Sequence, residues 1–221
     1  MFDFDGLIVD TEGAVFQAWQ EVYEEHGQRL DPKVWGRIIG TVSDFDGFAD
    51  LERRLARPLH RDAIDARRLA RERELVEALP VLPGVHEWRD AAQRLGLKRA
   101  IASSSTRAWV EGHLRRLGLQ DWDCIRTRED AARAKPEPDL YLAVLERLGL
   151  NASQAIAVED SLNGLTAAKR AGLFCVAVPC SMTAHMDLGA ADLQLTSLTE
   201  RSLEYVLAIV EGEGAADGGP G

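Results

Sequence analysis

Asp3 and Asp5 stand two positions apart in the opening stretch MFDFDGLIVDTE, with a glycine directly after them. On an extended strand, residues i and i+2 point to the same side. Two carboxylates held that way repel one another unless a cation or a shared proton lies between them. A surface turn would also use such residues, since aspartate and glycine both favour turns. Three further sets carry chemistry. Ser103, Ser104, Ser105 and Thr106 form a hydroxyl run, Lys135 precedes PEPD, and Glu159, Asp160 and Ser161 are consecutive. Each has an ordinary structural use: a serine caps a helix, a lysine is usually solvated, and acids suit a helix N-terminus. Taken jointly they amount to a carboxylate cluster, a hydroxyl cluster and one ammonium. Magnesium takes oxygen ligands octahedrally, with one or two carboxylates plus waters and phosphate. Strand-end acids from neighbouring strands could supply it. Ser103 could offer its hydroxyl and backbone N–H to an oxyanion at a helix start. Lysines are scarce, only Lys33, Lys98, Lys135 and Lys169 among 26 basic residues. Lys135 is a compact charge on a chain stiffened by prolines, which suits a phosphate oxygen.

The elements that must hold these groups alternate. Short β-prone runs lie at KRAIAS (98–103), DCIRT (123–127), AIAVED (155–160), FCVAVP (174–179) and LQLT (193–196). Amphipathic helices are predicted between them, over 83–97, 107–119, 138–150 and 161–173. Such alternation predicts an α/β fold, a three-layer Rossmann-like core with a parallel sheet wrapped by helices. In open sheets of this kind, ligands sit at the carboxyl ends of the strands, which is where all four residue sets fall. Residues 12–81 read differently, as charged helices without a convincing strand, with Val15, Trp19 and Tyr23 at helical spacing. The expected layout is a core of 1–11 and 82–208, a helical cap over 12–81, and a disordered Gly/Ala/Asp-rich tail over 209–221.

Bulk properties narrow the partners. The chain has 221 residues, a net charge of −10 and 46% hydrophobic residues, enough for one sizeable core. The pI of about 5.0 argues against nonspecific binding to nucleic acid or an anionic membrane. No run approaches the length of a spanning helix, and the N-terminus does not read as a signal peptide. Cys124, Cys175 and Cys180 are odd in number and lack metal-finger spacing, as expected of reduced thiols in a cytoplasmic protein.

In order and context, DFDGLIVDTE, IASSS, KPEPD and VEDSLNGLTAAKRAG resemble the haloacid dehalogenase-like superfamily. Within it, the chain is similar to the β-phosphoglucomutase and sugar-phosphatase branch, whose helical cap follows the first motif. The resemblance spans roughly residues 1 to 200. It implies that Asp3 is the nucleophile that becomes an aspartyl phosphate. It implies that Asp5 is the general acid and base, its backbone carbonyl helping to hold Mg²⁺. Ser103, with Ser104 beside it, would bind the transferring phosphoryl group. Lys135 would neutralise charge between that group and Asp3. Asp160 would ligate the metal, with Glu159 as a further ligand or the partner of one. An aspartate at position 5 suits ester cleavage better than dehalogenation, because it can protonate an alkoxide.

The expected function is therefore an Mg²⁺-dependent phosphatase acting on a small phosphorylated metabolite, as a monomer or weak dimer. A phosphosugar mutase is the alternative. In that branch a histidine stands where this chain has Val15, and an arginine where it has Asp44. A carboxylate would repel the second phosphate that such an arginine grips, which favours the hydrolase. A non-catalytic phosphometabolite-binding protein is a lesser alternative, since a binding module needs no acid/base aspartate. Arg37, Asp44, Asp46 and Phe48 are the cap residues expected to face the substrate. Hinges are expected near Thr11–Glu12 and Leu79–Pro83, so that the cap can close over the site. The first motif resembles one that ends a strand of about five apolar residues, yet only Met1 and Phe2 precede Asp3 here. The expectation is a start upstream of Met1 or a shortened chain.

Overall fold

The computed structural model describes residues 1–41 and 45–212. Its strands are short and parallel: β1 (Ala100–Ala102), β2 (Cys124–Arg126), β3 (Ile156–Glu159), β4 (Phe174–Ala177) and β5 (Leu193–Gln194). β1 pairs with β2, and β3 with β4 and then β5. Residues 1–3 join the two sets. The Phe2 N–H donates to Ala100 O at 2.8 Å, and the Ala102 N–H to Phe2 O at 2.9 Å. On the other side the Asp3 N–H donates to Val158 O at 3.0 Å, and the Val158 N–H to Met1 O at 2.9 Å. The order across the sheet is thus β2, β1, residues 1–3, β3, β4, β5. This central place puts the Met1 α-amino group inside the fold, where it donates to Ile156 O at 2.8 Å. Burial pulls its pKa down to about 5, against a weaker opposing effect of Cys175.

Both faces of the sheet are covered, so the strands read as unbroken apolar runs. Alternate side chains still go to opposite faces. Phe2, Ile101, Val158 and Val176 join one core cluster, while Met1, Ala100, Ala102, Ala157 and Cys175 join the other. Helices α5 (Val85–Arg94), α6 (Arg107–Leu117) and α9 (Leu203–Val210) contribute Trp88, Val110, Leu114 and Val206 to the first cluster. Helices α7 (Asp139–Leu148) and α8 (Leu162–Arg170) contribute Leu140, Tyr141, Val144, Leu165 and Ala168 to the second. The result is the expected three-layer α/β core.

Between residues 11 and 77 lie α1 (Thr11–Glu25), α2 (Pro32–Gly36), α3 (Gly47–Leu55) and α4 (Arg61–Glu77). They bury a cluster of their own around Val22, Tyr23, Leu30, Trp35, Ile39, Phe48, Leu51 and Ile64. α1 lies along α4, tied by Arg71 to Glu21 at 3.0 Å and by the Arg68 guanidinium over the Trp19 ring at 4.6 Å. The last helix runs two residues into the stretch expected as tail. α9 continues to Val210 because its apolar stretch docks Leu203, Val206 and Leu207 on the core. Residues 213–221 lie outside the described residues. No helix among the described residues is long and apolar enough to cross a membrane.

Candidate active site

Asp3 ends the central segment, and Glu159 ends β3 beside it, so the strand pairing itself brings the two acids together. The chain turns sharply after Asp5 at Gly6, whose φ is +80°. A Cβ there would land on the Asp160 carboxylate, so only glycine lets the first turn pass that close. Lys135 comes from the loop before α7, next to a cis Lys135–Pro136 bond. Its ammonium lies 2.6 Å from Asp3 Oδ1 and 2.6 Å from Glu159 Oε1. It also sits 5.2 Å from the centre of the Tyr141 ring, whose hydroxyl donates to Glu159. Asp3, Glu159, Asp160 and Lys135 are all buried.

Ionisable groups set so deep shift strongly. Burial pushes the Asp3 carboxyl up to about 7, with Glu159 and Asp5 adding to the rise and Lys135 opposing it. Asp160 is raised well above the ordinary carboxylate range, again by burial first and then by Asp3 and Glu159. Burial alone would lower the Lys135 pKa, but Asp3 and Glu159 outweigh it and hold the ammonium above its ordinary value. Fully ionised, three carboxylates facing one ammonium would leave two negative charges without a partner, which is why, beyond burial, Asp3 and Asp160 hold their protons so high. Oδ1 and Oδ2 of Asp160 and Oε2 of Glu159 are buried with no hydrogen-bond partner among the described residues. Ligand atoms of Asp3, Glu159 and Asp160 lie within 4.8 Å of one another. Orphaned, all-oxygen and net negative, this donor set fits a hard divalent cation.

Asp5 stands in a different environment, half-buried and ringed by donors. Thr11 Oγ1 donates to its Oδ1 at 2.6 Å and the Trp109 indole N–H to the same oxygen at 2.8 Å. Ser105 Oγ and Ser103 Oγ donate to Oδ2 at 2.6 and 3.4 Å. Residues 37–41 lie over the rim from the cap side. Ser104 Oγ donates to Gly40 O at 3.0 Å, Thr41 Oγ1 donates to Lys135 O, and Asn163 Nδ2 donates to Ile39 O at 2.7 Å.

The structure thus brings Asp3, Asp5, Ser103, Lys135, Glu159 and Asp160 to one rim. Ser104 and the cap residues fare differently. Ser104 is turned to the Gly40 carbonyl rather than left free for an anion. Arg37 is exposed, and it is its carbonyl that takes a bond from Asn163, at 3.3 Å. Asp46 is the N-cap of α3, accepting from the Phe48 and Ala49 N–H groups at 2.9 and 3.0 Å, and it pairs with Arg61 at 2.9 Å. Those bonds use its carboxylate structurally, so it is corrected from a substrate contact to a cap. Phe48 is buried against Trp19, ring centres 5.0 Å apart, because the cap cluster needs its volume. Asp44 lies outside the described residues.

Sequence reasoning missed Glu12, Trp109 and Tyr141 as parts of the site. The sequence marks Glu12 only as a hinge position. Its carboxyl is pushed up to about 8 by burial and then by Asp5, Asp3 and Asp10, with the Gly40 backbone bond opposing. The available signal was its place directly after Thr11 in the first turn of α1. Trp109 and Tyr141 gave no signal beyond core packing.

A family model described as haloacid dehalogenase-like hydrolase matches residues 1–178. The chain is 41% identical over 208 residues to YhcW of Bacillus subtilis, a protein whose name proposes a phosphatase, covering 94% of each chain. It is 33% identical over 178 residues to a phosphorylated carbohydrates phosphatase of Thermotoga maritima, covering 78% of this chain and 81% of that one. Among solved structures, a CbbY variant from Rhodobacter sphaeroides in complex with xylulose-(1,5)bisphosphate superposes with a TM-score of 0.72. It is 29% identical, covering 90% of this chain and 93% of that one.

Proposed function

The chain belongs to the haloacid dehalogenase-like hydrolase family, and from that premise we propose that it is an Mg²⁺-dependent phosphatase of small sugar-like phosphate monoesters. One observation carries the reading: the Lys135 ammonium bridges Asp3 and Glu159 at 2.6 Å each, beside the orphaned oxygens of Asp160. A binding pocket has no use for a strand-end carboxylate with a cation held against it. A nucleophile that must approach an anionic phosphoryl group has.

Asp3, held by the Lys135 ammonium, attacks phosphorus and forms the aspartyl phosphate. Asp5 protonates the departing oxygen and then takes a proton from the water that opens the acyl phosphate. Lys135 and the Ser103 hydroxyl offset the charge on the equatorial oxygens, which is most of what phosphoryl transfer asks of a protein; the Ser103 N–H, expected to join them, is instead taken by the Arg126 carbonyl at 2.9 Å. Asp3, Asp160 and Glu159, with the Asp5 carbonyl, would hold Mg²⁺, which neutralises phosphoryl charge when bound. Cap segment 37–41 closes the rim and limits water, and Glu12 faces the same space. The buried free cysteines Cys124, Cys175 and Cys180 support a reducing, cytoplasmic setting.

The hydrolase is favoured over the mutase because the position expected to carry a histidine is Val15, which packs against the apolar cap cluster. The relatives named for carbohydrate phosphates support a sugar-like substrate. The test is phosphate release from a panel of sugar, polyol and acid monoesters, with and without Mg²⁺, by wild type and Asp3→Asn. Release that survives both losses would sink the reading. Adding β-glucose 1-phosphate with a catalytic bisphosphate separates the mutase, which would accumulate glucose 6-phosphate. Tight binding without turnover across the panel would indicate a sensor instead.

A further inference from the structure

Four donors converge on Asp5, and they are not equivalent. The hydroxyls of Thr11, Ser103 and Ser105 can rotate, so each can donate to a carboxylate or accept from a carboxylic acid. The Trp109 indole N–H, 2.8 Å from Oδ1, can only donate. Its aim is set by the first turn of α6. Thr106 caps that turn by accepting the Trp109 backbone N–H at 3.3 Å, and His113, four residues on, packs edge-on against the indole at 4.5 Å. The helix that follows the Ser103 loop therefore delivers a rigid donor that always demands an acceptor.

Resting on the phosphatase reading above, we infer that Trp109 is a positioning residue for Asp5. Its N–H keeps Oδ1 as a permanent acceptor, which leaves Oδ2 as the oxygen that carries and passes the proton. In the first step the bond from Asp3 to phosphorus forms as the ester O–P bond breaks. The leaving oxygen keeps the bonding pair and takes the proton from Asp5 Oδ2. Asp5 is left a carboxylate, the form whose two oxygens the four donors satisfy. Without the indole N–H the carboxyl can turn over, and the proton resides on either oxygen.

Two replacements remove the N–H while keeping an aromatic ring: Trp109→Phe, and benzothienylalanine at position 109, which retains the indole shape should the phenylalanine variant fold poorly. The readout is kcat/KM for two leaving groups. An alkyl ester such as glucose 6-phosphate needs the proton, whereas p-nitrophenolate departs without it. Loss of a charge-assisted hydrogen bond predicts roughly a ten-fold fall for the alkyl ester and less than about three-fold for p-nitrophenyl phosphate. A merely structural role would lower both equally, and an equal fall, or none, overturns the inference. If wild type cleaves no ester, the phosphatase reading fails instead. A second readout is then independent of turnover: the Trp109 indole N–H resonance shifts in Asp5→Ala relative to wild type, and an unmoved resonance refutes the contact.

Discussion

Replacing Lys135 by methionine keeps the volume of the side chain and removes its charge. In the wild type the ammonium is fully buried and lies 2.6 Å from both Asp3 Oδ1 and Glu159 Oε1, which are themselves 4% and 0% exposed. Solvent therefore screens neither contact. Removing one partner of a buried ion pair costs about 3–5 kcal/mol, because the remaining charge is left unpaired. Here two carboxylates lose the same partner, so the upper half of that range is expected. For a chain of 221 residues each kcal/mol moves Tm by about 2–4 °C, giving a loss of roughly 10–15 °C. The loss depends on pH. Asp3 is raised from its ordinary value to about 7 by burial, with Lys135 opposing the rise. Without Lys135 it rises further, so the folded variant holds a proton that the unfolded chain has released. Stability then falls with rising pH wherever the folded form binds more protons. The Asp3 share of the deficit should be small at pH 6, where Asp3 is largely protonated in both proteins, and full at pH 9, whereas the lost Glu159 contact counts at both. Thermal unfolding by circular dichroism with chelator present measures it. An equal deficit at the two pH values, or none, would refute the electrostatic account of the Asp3–Lys135–Glu159 cluster. In an Asp3→Asn background the same replacement should cost clearly less.

Further outcomes can be checked. Mg²⁺ should raise Tm, and more so as pH goes from 6 to 8, since Asp3 and Asp160 hold raised pKa values and must shed protons to ligate it. At a hundredfold excess over Kd the gain is about 2.7 kcal/mol, and an unchanged gain in Asp160→Asn would count against the metal site. Gly164→Ala would drive a Cβ into the Glu159 carboxylate, costing about 1–3 kcal/mol and most of the activity. Gly112→Ala in α6 meets open space and should gain up to about 1 kcal/mol, so denaturant melts must rank the two variants in that order. Four or five apolar residues added ahead of Met1 would extend the central segment along a cavity of about 380 Å³ lined by Met1, Phe2, Leu148, Leu150, Ile156 and Leu207. They would also carry the α-amino group out of the core. Because burial lowers that amine from 8.0 to about 5, the unfolded chain binds the extra proton between those values. The gain in Tm should therefore grow as pH falls from 8 to 5, and an unchanged Tm would show the short segment to be sufficient.

The chemistry-bearing rim was readable because parallel strands deliver their carboxyl ends to one side. Asp3, Glu159 and Asp160 follow from strand position alone, and Lys135 from its proline-stiffened loop. Helix-borne contributors were not readable. Whether Trp109 or Tyr141 turns a polar edge toward a carboxylate depends on how α6 and α7 rotate on the sheet, which apolar spacing leaves open by a residue or so. Asp46 shows the opposite error. An acid in a loop near a pocket reads as a ligand contact, although Asp46 directly precedes an apolar helical run and carries an N-cap signature. Phe48 was misplaced for a related reason: the small cap cluster needs large aromatics, and composition cannot separate a pocket wall from a core.

The most direct test of the account is to trap the covalent intermediate. Wild type turning over a cleavable ester with Mg²⁺ is acid-quenched and reduced with borohydride, which converts an aspartyl phosphate to homoserine. Peptide mass spectrometry should find homoserine at position 3 in wild type and none in Asp3→Asn, which should also release no phosphate. Modification at a serine such as Ser103, or undiminished turnover by Asp3→Asn, would contradict Asp3 as the nucleophile.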